Sequence, residues 1–265
     1  MNTKLSLDEI KRKEINILMY IHDLCEKNGV RYFIAYGTLL GAIRHNGFIP
    51  WDDDIDIVVP IEDYDRLISL IKEDKESPFD VLFNDGNREY LYYYAKVVDI
   101  QTKLVERKAG QTEGMGVFVD VFPMYGLPDN RIACKVTQGY RKLIFRMWNY
   151  CISNDNIEYR FPKQQLRRLV IRIARLYGYK IWMKLLDKFV HSHPVNNKKK
   201  CAVLELDSSI MNTEYFEKCN VSFEGEIVIA PREYDKILTL WYGDYMKIPN
   251  EEDRISNHDF EVFSI

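Results

Sequence analysis

Four aspartates lie within five consecutive positions: Asp52, Asp53, Asp54 and Asp56, interrupted by Ile55. In an extended strand alternate side chains share one face, which would bring Asp52, Asp54 and Asp56 together and turn Ile55 towards the core. Carboxylates crowded in this way raise one another's pKa unless a cation lies between them. Because hard oxygen ligands suit Mg²⁺ or Mn²⁺, the run predicts a metal site in which Asp53 matters least.

Two other interpretations of the acidic run are weaker. A run of charges often lies in a solvated loop, but here apolar β-branched residues follow the acids and Trp51 precedes them. A calcium loop beginning at Asp52 would need glycine at its sixth position and glutamate at its twelfth. The chain has Ile57 and Asp63 there.

A further carboxylate, Asp120, interrupts the apolar stretch 117–122. A buried carboxylate is costly unless it is hydrogen-bonded, paired with a cation or bound to a metal. It could accept hydrogen bonds from the backbone or an arginine. If its strand lies beside the acidic run, however, Asp120 joins the same cluster as a general base or a metal ligand.

A turn that could hold phosphate precedes the acids. Gly37 and Thr38 follow a predicted strand and begin a predicted short helix, and a glycine at a helix N-terminus lets an anion approach the backbone. Arg44 follows in the same helix, and its guanidinium suits a phosphate. Taken singly, these could be a turn glycine, a capping threonine and a surface arginine. Followed by the acidic run, they favour phosphate chemistry.

The chain is long enough to bury one large core or two small ones, with 265 residues of which 46% are hydrophobic. A net charge of −3 argues against nucleic-acid binding. The N-terminus lacks the apolar stretch of a signal peptide, and we find no membrane span. The five cysteines form no C-x-x-C pair, which disfavours a zinc site or disulfide framework and favours the reducing cytoplasm.

Periodicity and turn residues predict the elements that position these groups. A capping box at Ser6 and Glu9 starts a helix that ends near Gly29. The predicted strands are 30–36, 54–59, 92–98, 103–106 and 117–122, the last ended by Pro123. The further helices are predicted at 37–44, 62–72, 131–152 and 163–191, with one more whose first turn contains Pro231.

The segment 160–200 is strongly basic and has one acid, Asp187. Apolar residues recur at helical spacing within it. This pattern is typical of a helix that packs on the core with a solvated basic face. It would equally suit peripheral contact with an anionic membrane.

Several blocks together resemble the LicD phosphotransferase family, which is related to the fukutin-type ribitol phosphate transferases. The longest is YGTLLGAIRHNGFIPWDDDID at 36–56. YAKVVD at 94–99, FVDVFP at 118–123 and YGDYM at 242–246 with Pro249 resemble further family blocks. The resemblance spans roughly residues 15–258. The zinc-binding cysteine insertion of the animal relatives has no counterpart here.

The resemblance implies an α/β (α+β) fold, a nucleotidyltransferase-like mixed sheet flanked by helices. We expect one catalytic domain over 1–265, with a core at 28–125 and a helical and C-terminal elaboration at 130–265. It also implies Mg²⁺- or Mn²⁺-dependent transfer of a phospho-alcohol, first of all phosphocholine from CDP-choline, to a sugar hydroxyl with release of CMP. The acceptor would be a lipid-linked precursor of teichoic acid, lipopolysaccharide or capsule. We expect the protein to be cytoplasmic, with peripheral contact at the inner face of the cell membrane.

Six of the expected site residues follow from the same resemblance. Asp54, Asp56 and Asp120 are expected to be catalytic and, with Asp52, to bind the metal. Arg44 and Lys96 match positions expected to meet the donor phosphates. Residue type suggests further candidate substrate contacts: Gly37, Thr38, Trp51, the aromatic run Tyr92–Tyr94 and His258. The aromatic residues would equally suit core packing, and a surface or structural role is the stronger interpretation of His258.

Three rival functions share parts of this pattern. A nucleotidyltransferase would use the same turn and acids but attack a different phosphorus. A glycosyltransferase could use Asp54 and Asp56 as its D-x-D motif, although the preceding Gly37–Thr38 turn argues against it. A non-catalytic protein that binds glycan or membrane would not need acids at all four positions.

Overall fold

The structure is a computed structural model that describes residues 3–85, 90–106, 113–152, 162–205, 208–254 and 260–265. Its helices are α1 Leu7–Asn28, α2 Tyr36–His45, α3 Ile61–Glu73, α4 Arg131–Ile152, α5 Pro162–Tyr177, α6 Tyr179–His191 and α7 Tyr234–Tyr242. Its strands are β1 Phe33–Ile34, β2 Asp56–Pro60, β3 Phe79–Leu82, β4 Ala95–Asp99, β5 Thr102–Glu106, β6 Phe118–Leu127, β7 Lys200–Val203, β8 Met211–Asn212, β9 Lys218–Phe223, β10 Glu226–Pro231 and β11 Phe260–Ser264.

A mixed sheet forms the centre of the molecule, with strand order β1-β2-β6-β4-β3. The pair β2–β6 is parallel, whereas β6 pairs antiparallel with β4 and, further along, with β7. Strands β7 and β8 from the C-terminal half therefore extend the same sheet. Two smaller pairs, β9–β10 and β5–β11, lie outside it. This mixed sheet flanked by helices confirms the predicted fold class.

Helix α1 begins with the predicted capping box, in which Ser6 and Glu9 satisfy each other's backbone N–H, and it ends at Gly29 in the left-handed conformation. It packs across the sheet. Lys13 Nζ lies 2.7 Å from Asp99 Oδ2 at the end of β4. The fold thus anchors the N-terminal helix to the same strands that carry the candidate site.

Two predicted strands are shorter than the sequence suggested. The strand predicted at 30–36 shrinks to β1, because α2 already starts at Tyr36. The strand predicted from Asp54 starts at Asp56, so Asp52 and Asp54 lie in the irregular segment before it. Strand alternation was therefore the wrong reason for grouping these carboxylates.

The prediction that Pro123 ends its strand was also wrong. Asp120 N–H donates to the carbonyl oxygen of Ile55, the residue just before β2. The nitrogen of Pro123, three residues later, therefore points to the other side of β6. On that side the pairing with β4 ends at Val121 and the pairing with β7 begins at Met124. The missing N–H of Pro123 thus falls between two ladders, where no hydrogen bond is lost.

The helix predicted at 163–191 is interrupted. Gly178 adopts φ +74 and separates α5 from α6. That left-handed value favours glycine and cannot continue a right-handed helix. Pro231, expected in a first helical turn, instead ends β10. Among the described helices, none is long and apolar enough to cross a membrane.

Candidate active site

Three charged side chains lie in a row across neighbouring strands. Asp56 of β2 is directly opposite Asp120 of β6, and Asp120 is opposite Lys96 of β4. All three are buried, and Lys96 Nζ lies 2.6 Å from Asp120 Oδ1. The predicted adjacency of Asp120 to the acidic run is thus present, and a buried ammonium accompanies it.

Aromatic rings surround the Lys96 ammonium. Its Nζ lies 3.5 Å from the ring centre of Phe118, 4.8 Å from that of Tyr92 and 5.2 Å from that of Tyr94. These cation–π contacts and the Asp120 pair replace the water that the ammonium loses on burial. Tyr92 and Tyr94 lie before β4 rather than in it, contrary to the predicted strand.

Thr38 fixes the start of β2. Its Oγ1 accepts the Asp56 N–H at 2.7 Å, and the Ala35 N–H donates to Asp56 O at 3.0 Å. Thr38 is buried. These two bonds tie the first turn of α2 to the strand residue that carries the most buried carboxylate of the run.

Gly37 leaves room for Asp52. A Cβ added at Gly37 would lie 2.5 Å from Asp52 Oδ2, so a larger residue would displace that carboxylate. Asp52 therefore approaches the N-terminal end of α2, where the helix dipole favours a negative charge. The close backbone approach predicted for a ligand at Gly37 is made by a side chain of the chain itself.

The electrostatics of Asp56 are those of a crowded anionic site. Burial raises the pKa of Asp56 well above its ordinary value, the negative charges of Asp54, Asp120 and Asp52 raise it further, and Lys96 opposes them. A cation placed among these carboxylates would relieve the repulsion. Their oxygens suit Mg²⁺ or Mn²⁺, although among the described residues no three His, Cys, Asp or Glu side chains already converge tightly enough to enclose an ion.

Arg44 and Trp51 contact residues that follow α7, namely Tyr245 and Arg254. Arg44 Nη1 donates to Tyr245 O at 2.8 Å and its Nε to His45 Nε2 at 2.9 Å, while partial burial lowers the pKa of Arg44. The guanidinium of Arg254 lies 5.3 Å from the ring centre of Trp51. His258, the remaining predicted substrate contact, lies outside the described residues.

Sequence reasoning missed Glu14 of α1. This residue is 2% exposed, and its Oε2 has no hydrogen-bond partner among the residues that the structure describes. Burial raises the pKa of Glu14 well above its ordinary value, and Asp54 and Asp53 raise it further. The signal was present in the sequence, because Glu14 occupies a position of the apolar stripe that contains Ile10 and Ile17.

Tyr242, at the end of α7, begins the family block at 242–246 but was not among the predicted site residues. Tyr242 as a whole is 44% exposed, but desolvation of its hydroxyl raises the pKa of that group, and the charges of Asp56 and Asp52 raise it further. The preceding Trp241 stacks on Tyr36 with ring centres 4.6 Å apart. Helix α7 therefore borders the site from the C-terminal end of the chain.

The chain is similar in sequence to known proteins across the segment that carries the site. Residues 29–170 match the LicD/FKTN/FKRP nucleotidyltransferase domain. The lipopolysaccharide cholinephosphotransferase LicD of Haemophilus influenzae is 30% identical over 271 residues, covering 98% of each chain. The ribitol 5-phosphate transferase FKRP of Homo sapiens and of Mus musculus is 31% identical over 118 residues, covering 44% of this chain and 21% of each relative.

Proposed function

Because the chain belongs to the LicD/FKTN/FKRP nucleotidyltransferase-domain family, we propose that it transfers a phospho-alcohol from a CDP-linked donor to a sugar hydroxyl of a cell-surface glycan precursor. Phosphocholine is the first candidate, because the cholinephosphotransferase from Haemophilus influenzae matches nearly the whole length of both chains. The observation that carries the proposal is the cross-strand row Asp56, Asp120 and Lys96, which combines buried acids with a buried cation.

The donor set fits a divalent cation by its chemistry. Asp52, Asp54, Asp56 and Asp120 would hold Mg²⁺ or Mn²⁺, and the raised pKa of Asp56 reflects the charge that such an ion would offset. When bound, the ion would neutralise the donor diphosphate and orient it for in-line attack.

The chain's own residues would supply proton transfer and charge. The acceptor hydroxyl attacks the phosphorus that bears the alcohol, the bond from that phosphorus to the bridging oxygen breaks, and CMP leaves with that oxygen. The carboxylate of Asp120 takes the hydroxyl proton. Lys96, 2.6 Å from Asp120, would keep that carboxylate ionised until it accepts the proton. The same ammonium would lie beside the phosphates and stabilise their negative charge. Arg44 would bring a second positive charge to the phosphates once its hydrogen bond to Tyr245 O is broken.

Choline would be bound by the face of an aromatic ring, for which Trp51 is the best candidate. Trp51 already accepts one cation, because the Arg254 guanidinium lies 5.3 Å from its ring centre. A trimethylammonium group could compete for the same face, and cation–π attraction would hold it there. Tyr92 and Tyr94 are less suited to this part, because their rings already contact Lys96.

The assay combines protein, Mg²⁺, a series of CDP-alcohols and a glycan acceptor, with CMP followed by chromatography and the glycan by mass spectrometry. We expect CDP-choline to yield CMP and a phosphocholine-bearing glycan. Asp56→Asn should lose both products. Asp53→Asn, the same chemical change three positions earlier, is the matched control and should retain them. Full activity of Asp56→Asn would refute the proposed site.

Nucleotidyl transfer is the second candidate, favoured by the domain that residues 29–170 match. It would use the same acids but attack the phosphorus nearest the nucleoside. Incubation with nucleoside triphosphates separates the two reactions. Pyrophosphate and a nucleotide-bearing acceptor would support nucleotidyl transfer, whereas CMP from a CDP-alcohol supports transfer of the phospho-alcohol.

A further inference from the structure

Helices α4, α5 and α6 carry positive charge almost without acids. Neither α4 nor α5 contains an Asp or Glu, and α6 contains Asp187 alone. The whole chain nevertheless has a net charge of −3, so positive charge is concentrated in this layer. Its exposed basic side chains include the following: Arg131, Lys135, Arg146, Arg167, Arg168, Arg172, Arg175, Lys180, Lys184 and Lys188.

The same helices expose large apolar side chains at helical spacing. On α4 these are Ile132, Val136, Tyr140 and Leu143, of which Ile132 is 74% exposed. On α5 and the start of α6 they are Leu169, Ile173, Leu176, Tyr177 and Ile181, of which Leu176 is 83% exposed. Isolated exposed apolar residues are ordinary, but stripes of them on neighbouring helices mark an interaction surface.

Contacts among the three helices hold these stripes in one layer. Trp182 Nε1 of α6 donates to Ala174 O of α5 at 3.0 Å, and the Cys151 thiol of α4 donates to the same oxygen at 3.1 Å. The rings of Tyr140 on α4 and Phe189 on α6 have centres 6.2 Å apart. Phe189 also packs on Tyr125 of β6, which fixes the layer to the central sheet.

We propose that the exposed face of α4, α5 and α6 binds the surface of an anionic lipid bilayer. Apolar side chains flanked by arginine and lysine suit the boundary between acyl chains and negatively charged headgroups. A second copy of this chain would bring the same positive charge against itself, which disfavours self-association through this face. Nucleic acid would match the charge but would leave Ile132 and Leu176 without apolar partners.

The test is flotation of the full-length protein with vesicles of phosphatidylcholine, alone or mixed with phosphatidylglycerol. We expect binding to the mixed vesicles at low salt, little binding to phosphatidylcholine alone, and release as salt increases. Leu176→Asp should weaken binding at least about tenfold, because it removes an apolar group and adds a negative charge. The double charge reversal Arg168→Glu with Arg172→Glu should weaken it by a similar factor.

Ile227→Asp on β10 is the matched control, since Ile227 is also an exposed apolar residue but lies outside the three helices. It should bind like the unaltered protein. Circular dichroism melting checks that each variant folds. Absence of binding to mixed vesicles at low salt would overturn the proposal, as would equal weakening by Ile227→Asp. Concentration-dependent dimerisation or nucleic-acid binding through the same residues, without vesicle binding, would also overturn it.

Discussion

Asp56 of β2 and Asp120 of β6 lie directly opposite each other on neighbouring parallel strands, and both are buried. Two carboxylates in this position destabilise the fold unless positive charge offsets them. Lys96 supplies one charge at 2.6 Å from Asp120. We propose that the remaining negative charge attracts a divalent cation, which in turn would attract the diphosphate of the donor. Several measurable consequences follow.

Asp56→Asn should change stability and activity in opposite directions. The substitution keeps the shape of the side chain and the backbone hydrogen bond to Thr38 Oγ1. It removes a carboxyl group whose pKa is raised by burial and by the charge of Asp54. In EDTA we expect the free energy of unfolding to increase by about 1–3 kcal/mol. We expect CMP release to fall at least about 100-fold. Thermal denaturation and the donor assay measure the two effects.

Adding Mg²⁺ supplies the control for that variant. It should raise the unfolding temperature of the unaltered protein and of Asp53→Asn, because an ion that binds the folded state stabilises it. It should raise that of Asp56→Asn much less. Equal stabilisation of all three proteins would contradict a metal site at Asp56.

Glu14→Gln should remove a pH dependence of the free energy of unfolding. Because burial raises the pKa of Glu14 above its ordinary value of 4.5, its contribution to stability is present below that pH and is lost as the pH rises through the folded-state pKa. We therefore expect Glu14→Gln to stabilise the protein by about 1–3 kcal/mol at pH 7 and by little at pH 4. Urea unfolding at both pH values measures this.

Glu26→Gln is the matched control on the same helix. Lys218, 2.6 Å away, lowers the pKa of Glu26. The contribution of Glu26 to stability is therefore present above the ordinary pKa of a glutamate and is lost as the pH falls, which is opposite to Glu14. It should be small because the pair is exposed. If Glu14→Gln destabilised the protein equally at pH 4 and pH 7, an electrostatic origin would be excluded.

The sequence predicted the acids of this site but not its full surroundings. The type and spacing of Asp52, Asp54 and Asp56 predicted a cation site, and the lone acid in an apolar strand identified Asp120. The neighbours Glu14 and Tyr242 depend on the packing of α1 and α7, which lie at opposite ends of the chain. Local pattern cannot specify such long-range contacts, although a glutamate in an apolar stripe was a usable signal.

The elements were predicted better than their ends. Helices α1, α2, α3 and α4 match within a few residues, because capping and turn residues are local. The start of β2 could not be read from alternation, since the bonds from Ala35 and to Thr38 place the first strand residue at Asp56. Likewise, Pro123 remains within β6 because of a gap between two partner strands that the sequence does not display.

Lys96→Met should leave Asp120 as a buried, uncompensated charge. We expect a loss of about 3–5 kcal/mol in the free energy of unfolding, measured with urea. The double variant Lys96→Met with Asp120→Asn should recover much of that loss, because it removes the charge left behind. If the two substitutions were simply additive, the 2.6 Å contact would carry no coupling energy.

Gly37→Ala should impair activity more than stability. The added Cβ would lie 2.5 Å from Asp52 Oδ2, at the end of a side chain that can turn away. We expect CMP release to fall about tenfold, as for other small displacements of positioning groups, with a small change in unfolding temperature. Gly139→Ala is the control, because in the described part of the chain no atom beyond the neighbouring helix backbone lies within 4 Å of its added Cβ. Unchanged activity of Gly37→Ala would show that the placement of Asp52 is unimportant.

Transfer of a phospho-alcohol can be distinguished from every alternative reaction by following the two phosphorus atoms of CDP-choline. The donor is labelled with ³²P in the choline-bearing phosphate and incubated with the protein, Mg²⁺ and a glycan acceptor. The predicted result is label in the glycan and unlabelled CMP, with neither product formed by Asp56→Asn. Label that leaves as free phosphocholine, while the nucleoside phosphate joins the acceptor, would show that the protein transfers a nucleotide and not a phospho-alcohol.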